Sequence, residues 1–164
     1  MTEETAIQAL RFFSSQILKQ KEYFDSHKEI IFYGGEPLIN MPVIESVVYV
    51  ARSMQAKGEL PYDLSFSMVT NGTLLDSTMA RQLKALGINI AISLDGVDAV
   101  ANSNRIDRSG KAAFSRILSG IAVAKQNGLP FGLSITITKE TLEQQDVIIN
   151  FMKELGINEA SFNI

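Results

Sequence analysis

The sequence predicts an α/β fold: a partial parallel (β/α) barrel, five helices alternating with five strands, forming a single domain over residues 1–164. Three observations predict it. Helical and strand periodicities alternate along the chain with no Pro/Gly/Ser-rich linker between them. Three helices stop in the same way, at Leu86-Gly87-Ile88, Asn127-Gly128-Leu129 and Leu155-Gly156-Ile157, where glycine serves as a left-handed cap and an apolar residue follows, so one α–β unit repeats. The strands carry one apolar and one small polar face. Ile88, Ile90, Ile92 and Leu94 oppose Asn89, Ala91, Ser93 and Asp95, and Phe131, Leu133, Ile135 and Ile137 oppose Gly132, Ser134, Thr136 and Thr138. A doubly wound sheet is covered on both faces and reads apolar on both. Here helices can cover only the apolar face, leaving the polar one, extended by Ser65 and Ser67, to line a wet or ligand-filled hollow as the inside of an open barrel does. The alternative is an antiparallel sheet with one solvated face; helices between every pair of strands favour parallel connections over it.

The elements follow in order. From about Thr2 to Gln20, Ala6, Ile7, Leu10, Phe13, Ile17 and Leu18 fall at helical spacing, and Arg11, Ser15, Lys19 and Gln20 are left for solvent. Strand Ile30–Tyr33 comes next. After Pro37 a second helix carries Val43, Ile44, Val47, Val48, Ala51 and Met54 on one face, holds Pro42 near its first turn and ends at Gly58. Leu64, Phe66 and Met68 alternate with Ser65, Ser67 and Val69 in a strand leading to Thr70-Asn71-Gly72. Asp76 caps a helix showing Met79, Leu83 and Leu86, which passes through Gly87 into the strand Ile88–Leu94 and the turn Asp95-Gly96. A helix from roughly Lys111 to Asn127 buries Phe114, Ile117, Leu118 and Ile121 before the strand Phe131–Thr138. The last helix, about Thr141 to Leu155, uses Val147, Phe151, Met152 and Leu155 and leads to Ala160–Ile164.

With 164 residues and 46% hydrophobic content, the chain can bury one sizeable core. Its 15 basic and 18 acidic residues give a charge of −3 without a block of one sign, which argues against nucleic acid or a polybasic membrane patch; small molecules or proteins are the expected partners. No apolar run reaches about 18 residues, and Met1-Thr2-Glu3-Glu4 is acidic where a signal peptide is basic, so a cytoplasmic location is expected. Cysteine is absent, so the chain offers no disulfide, thiol nucleophile or cysteine-held metal or iron–sulfur site. His27, the only histidine, lies in the polar connector Ser26-His27-Lys28-Glu29 and is read as a surface side chain. No catalytic residue and no metal ligand is assigned.

In Ile30-Ile31-Phe32-Tyr33-Gly34-Gly35-Glu36-Pro37-Leu38 an apolar run stops at paired glycines, a carboxylate and a proline. Glycines at a strand's carboxyl end let backbone groups approach a ligand, Glu36 offers an acceptor for an ammonium group, and Pro37 fixes the exit direction. Glycines after a strand also make plain turns, and Asn71-Gly72 and Asp95-Gly96 are ordinary turn formers. Context decides, because sites in parallel βα folds gather at strand carboxyl ends, where this chain places Gly34-Gly35-Glu36, Thr70-Asn71-Gly72 and Ser93-Leu94-Asp95-Gly96.

Those loops, with Tyr33-Gly34-Gly35-Glu36-Pro37-Leu38, Thr70-Asn71-Gly72-Thr73-Leu74-Leu75, Ser93-Leu94-Asp95-Gly96 and the later Asn104-Arg105, Ser109-Gly110-Lys111 and Phe114, resemble the radical S-adenosylmethionine (radical SAM) superfamily. The nearest branch is that of peptide- and protein-modifying enzymes, including anaerobic sulfatase maturases and SPASM-domain maturases. The resemblance implies a TIM-barrel-like (β/α)6 core. It implies that Gly34, Gly35 and Glu36 hold the amino group of S-adenosylmethionine, that Ser93 and Arg105 meet its carboxylate or ribose, and that Thr70, Asn71 and Asp95 stand in the same rim. Two departures are evident. Where the branch commonly shows His-Asp before the arginine, this chain has Ala101-Asn102. The Cys-x3-Cys-x2-Cys loop that holds a 4Fe-4S cluster is missing, so the cluster is expected in a full-length parent but is not ligated by this chain.

The chain is therefore read as part of such a core, from its first helix to its sixth strand, and as inactive alone. The parent is expected to generate a 5′-deoxyadenosyl radical that abstracts hydrogen from a peptide or protein substrate. Alternatively the chain is a degenerate, non-catalytic half-barrel that binds a peptide or protein partner. A nucleotide-phosphate binder of the doubly wound kind ranks last, because no Gly-x-Gly-x-x-Gly or P-loop lysine pattern is present. The isolated chain is also expected to self-associate through exposed strand edges.

Overall fold

The computed structural model describes residues 1–19, 27–102, 105–106, 110–157 and 159–163. Five strands lie within them: β1 Glu29–Phe32, β2 Ser65–Thr70, β3 Ile88–Ser93, β4 Phe131–Thr136 and β5 Ala160–Asn163. All neighbouring pairs are parallel, and the spatial order β1-β2-β3-β4-β5 is the chain order. The helices between them are α1 Glu3–Ile17, α2 Met41–Ala56, α3 Ser77–Leu86, α4 Phe114–Gln126, α5 Lys139–Glu143 and α6 Gln145–Leu155, with a 3-10 turn at Pro37–Asn40. Each crossover moves the chain one strand further in the same direction, which builds a barrel wall; a doubly wound sheet would reverse direction partway. The fold is the half-barrel that the strand faces predict.

Burial explains which face turns toward the helices. Phe66, Met68, Ile88, Ile92, Leu133 and Ile135 are at most 2% exposed and join the residues of α2, α3 and α4 in one core. Ser65, Ser67, Ala91 and Ser93 on the opposite face are half-buried, and Asn89 is exposed. Burying one large apolar side chain stabilises by about 1.5–3 kcal/mol, enough to offset roughly 1–2 kcal/mol of backbone ordering per residue. A one-residue slip in register would forfeit that gain at every position of a strand. The observed register aligns Ser93 with Ser134 and Ser134 with Ser161, and Asn163 Nδ2 donates to Ser134 Oγ at 2.9 Å. One level of the uncovered wall is thus a row of hydroxyl and amide groups.

The helix ends have local causes. Thr2 Oγ1 accepts from the Thr5 N–H (3.2 Å) and caps α1, and Asp76 Oδ1 accepts from the Met79 N–H (2.8 Å) and caps α3. Gly87 and Gly156 close α3 and α6 at φ 67° and 73°, in the left-handed conformation that the sequence reading assigned them. The second helix and the fourth strand end two residues short of that reading, at Ala56 and Thr136, and three helices differ more. The helix read to Gln20 ends at Ile17, and Gln20 lies outside the described residues, as does Ile164. The helix read from Lys111 begins at Phe114, because Ala112 bridges back to Ile106 in an antiparallel contact. The final helix is two, parted at Gln144. Thr138 Oγ1 accepts from the Thr141 N–H (3.2 Å) while Thr141 Oγ1 accepts from the Thr138 N–H (2.6 Å), a reciprocal cap that starts α5 before the apolar stripe of α6 begins.

Among the described residues β1 and β5 are the ends of the sheet. Beside β1 an apolar groove of about 370 Å³ opens toward α1 and α2, lined by Leu10, Phe13, Ile30, Phe32, Val43 and Val47 among others.

Candidate functional site

The carboxyl ends of β1, β2 and β3 lie side by side because the strands are consecutive and parallel. After β1 the chain turns through Tyr33, Gly34 and Gly35, all exposed. Gly34 has φ 136°, a conformation open to glycine and strained for any other residue, and no atom lies within 4 Å of where a Cβ on Gly34 or Gly35 would stand. The two glycines form an open lip of bare backbone.

Glu36 follows the lip and is bound from three directions. Its Oε1 accepts from the Leu38 N–H (3.0 Å), capping the 3-10 turn, and from the Thr70 hydroxyl (2.7 Å); its Oε2 accepts from the Asn71 N–H (2.9 Å). The carboxylate therefore ties the exit of β1 to the exit of β2. Thr70 is 1% exposed and shares the buried parity of Phe66 and Met68, so its hydroxyl turns to Glu36 and accepts from the Gly72 N–H (3.0 Å). Asn71 Oδ1 accepts from the N–H (2.9 Å) and the hydroxyl (2.6 Å) of Thr73, fixing the turn. A carboxylate has about four acceptor sites. Two on Oε1 and one on Oε2 are used, which leaves one on Oε2.

At the end of β3, Ser93 is half-buried on the uncovered face. Asp95 and Arg105 form an ion pair, Arg105 Nη2 donating to Asp95 Oδ1 at 2.6 Å, with 23% of the arginine side chain and 17% of the aspartate side chain exposed. Arg105 Nε is buried and has no hydrogen-bond partner among the described residues. The sequence reading thus assembles into two braced units, Glu36–Thr70–Asn71 and Asp95–Arg105, on neighbouring strand ends. Asn104 and Ser109 lie outside the described residues.

Two further residues shape this rim. Asn102 is fully buried and bonds the backbone of Asp95, Gly96 and Asp98. Gly120 in α4 lies so close to the Thr-Asn-Gly turn that a Cβ there would overlap the Gly72 carbonyl oxygen. Gly120 left a usable signal, since an unexplained glycine inside a helix costs about 1 kcal/mol and calls for a packing reason.

A family model described as Radical SAM superfamily matches residues 15–152. The chain belongs to that superfamily. It is 34% identical, over 77% of its length and 34% of the relative's, to an AdoMet-dependent heme synthase of Methanosarcina barkeri. It is 28% identical to a cysteine-type anaerobic sulfatase-maturating enzyme of Clostridium perfringens, over 84% of this chain and 37% of the other. A solved structure described as native anSMEcpe with bound AdoMet and Kp18Cys peptide superposes with a TM-score of 0.78 at 25% identity, covering 94% of this chain and 41% of that one. The chain thus spans less than half the length of these radical SAM relatives. No helix among its described residues is long and apolar enough to cross a membrane.

Proposed function

We propose that this chain forms the S-adenosylmethionine-binding half-barrel of a radical SAM enzyme that modifies a peptide or protein. The observation that carries this reading is the Glu36 carboxylate, locked by three donors with one acceptor site left beside an open glycine lip. In this reading the cofactor's ammonium group binds the free site on Oε2 and the lip backbone, the partly exposed Arg105 guanidinium donates to its carboxylate or ribose, and Ser93 adds a hydroxyl. Thr70 and Asn71 hold Glu36, and Asp95 holds Arg105. Bound S-adenosylmethionine supplies the reductive-cleavage chemistry of the superfamily. The 4Fe-4S cluster which that chemistry needs finds no thiolate here, since the chain has no cysteine, and no step is assigned to these residues alone. A peptide substrate is supported by the maturase relative and by the strands, because β1 to β5 carry no lysine or arginine, hold a single carboxylate at Glu29, and present hydroxyls and amides suited to peptide groups.

Gly35 separates binding from folding. Its φ is ordinary and the space around it is open, so Gly35→Ala is expected to change stability by no more than about 0.5 kcal/mol in urea unfolding. The same methyl group on the lip is expected to weaken S-adenosylmethionine binding about tenfold, or about 1.4 kcal/mol, followed by amide shifts at residues 34–36, 71 and 93. A wild-type chain whose amides do not respond to millimolar S-adenosylmethionine overturns the reading. The absence of cysteine favours a second reading, a non-catalytic half-barrel that binds a peptide or protein partner, in which those amides respond to the partner alone.

We propose also that the isolated chain self-associates along β1, which among the described residues is an end of the sheet and adjoins the apolar groove and the exposed Tyr33. Light scattering is expected to show species larger than a monomer that shift toward monomer on Ile31→Lys, since a lysine on an edge strand opposes pairing. A monodisperse monomer at high concentration refutes this.

A further inference from the structure

We infer that Asn102, in the segment between β3 and α4, is a positioning residue that sets Asp95 and Arg105 for the cofactor; its link to the cofactor rests on the reading above. Every polar group of its side chain is committed. Oδ1 accepts from the Asp95 N–H at 2.9 Å, and Nδ2 donates to the carbonyls of Gly96 (2.8 Å) and Asp98 (2.7 Å). Its main chain extends the tie, the N–H donating to the Asp98 carbonyl (3.3 Å) and the carbonyl accepting from the Arg105 N–H (3.0 Å). The Arg105 carbonyl in turn accepts from the Ala113 N–H (2.9 Å), at the start of α4. One buried amide thus joins the residue that holds the guanidinium to the residue that bears it.

The side-chain type is dictated by this arrangement. Two donors and one acceptor are required in a site with no access to water, and asparagine supplies both kinds. An aspartate has no donor for the Gly96 and Asp98 carbonyls and sets a carboxylate against them. The neighbouring Ala101 packs its methyl group onto Gly96, at a distance that no Cβ on residue 96 tolerates, so the pair Ala101-Asn102 closes over the β3 exit as a unit. Arg105 reaches Asp95 through Nη2, and its buried Nε–H has no partner among the described residues. Its direction depends on how Asp95 and Arg105 are held relative to each other, and Asn102 accepts from the backbone N–H of both.

The test uses the full chain labelled with ¹³C and ¹⁵N and compares wild type with Asn102→Asp, Asn102→Ala and Val48→Ala, the last truncating a buried side chain of α2. In wild type, both Nδ2 protons of Asn102 are expected to show couplings across their hydrogen bonds to the Gly96 and Asp98 carbonyls; their absence overturns the proposal whether or not the variants fold. The Arg105 Nε–H is expected to be protected from exchange in wild type and in Val48→Ala, and to lose about tenfold or more of that protection in both Asn102 variants. Equal loss in Val48→Ala shows general loosening and overturns the proposal. Binding of S-adenosylhomocysteine is expected to weaken about tenfold in Asn102→Asp, with Asn102→Asp/Arg105→Ala no weaker than Arg105→Ala alone. Additive losses overturn it. If the exchange results hold while S-adenosylhomocysteine shifts no resonance of wild type, the cofactor reading falls and the positioning of Asp95 and Arg105 stands.

Discussion

Gly120→Ala is expected to destabilise the chain by about 3 kcal/mol or more, at the upper end of overpacking costs. The new methyl group would overlap the carbonyl oxygen of Gly72, and that oxygen belongs to backbone that cannot swing aside as a flexible side chain would. Gly72 itself is hemmed in: it sits at φ 71°, and a Cβ there would lie 3.2 Å from Ile92 Cγ2. Either α4 lifts from the sheet, exposing part of the face that buries Ile117 and Ile121, or the Thr-Asn-Gly turn is pushed out and the Gly72 N–H leaves Thr70 Oγ1. For a chain of this size, about 3 kcal/mol corresponds to a fall of roughly 6–12 °C in Tm. Ser119→Ala, one residue earlier on the exposed side of the same helix, is the control and is expected to stay within about 0.5 kcal/mol. A Gly120→Ala chain that melts with the control would mean that α4 and the turn are not in contact.

Glu36→Ala is expected to cost roughly 3 kcal/mol, read from urea unfolding. Three donors lose their acceptor at once, two of them backbone N–H groups, and hydrogen bonds to a charged group contribute about 1.5–3 kcal/mol each. The group is only partly buried, so water recovers some of that loss. Glu36→Gln is expected to retain part of the stability. Its amide oxygen can replace one carboxylate oxygen, while its NH2 faces a donor in place of the other. The ordering wild type, Gln, Ala distinguishes this brace from a surface carboxylate, for which all three unfold together. The same variants are expected to lose S-adenosylmethionine binding, and Gly35→Ala, which spares the brace, separates the two effects.

Much of this architecture was legible in the residues, and the reason is locality. The alternation of Ile88, Ile90 and Ile92 with Asn89, Ala91 and Ser93 reports burial directly, and Gly87 and Gly156 mark helix ends through their own backbone preference. The rim glycines and Glu36 were visible as a break in an apolar run. What stayed hidden depends on partners distant in sequence. Glu36 commits two of its three hydrogen bonds to Thr70 and Asn71, 34 and 35 residues away, which no periodicity records. Gly120 lies far along the chain from the Gly72 carbonyl it accommodates. Asn102 is close in sequence to its partners, yet it sits in a turn-rich segment where an asparagine reads as solvated, and only its complete burial reveals the role. The break at Gln144 was missed because the threonine pair that starts α5 competes with the apolar stripe of α6, and periodicity weighs only the stripe.

The three bonds to Glu36 form as the chain folds, before any small molecule arrives. The entropy of orienting that carboxylate is spent during folding, so a visiting amine meets an acceptor already aimed and need not arrest a rotating side chain. Selection for a firm join between two strand tips and selection for a receptive rim then act on the same atoms, and a substitution that relaxes the first also blunts the second.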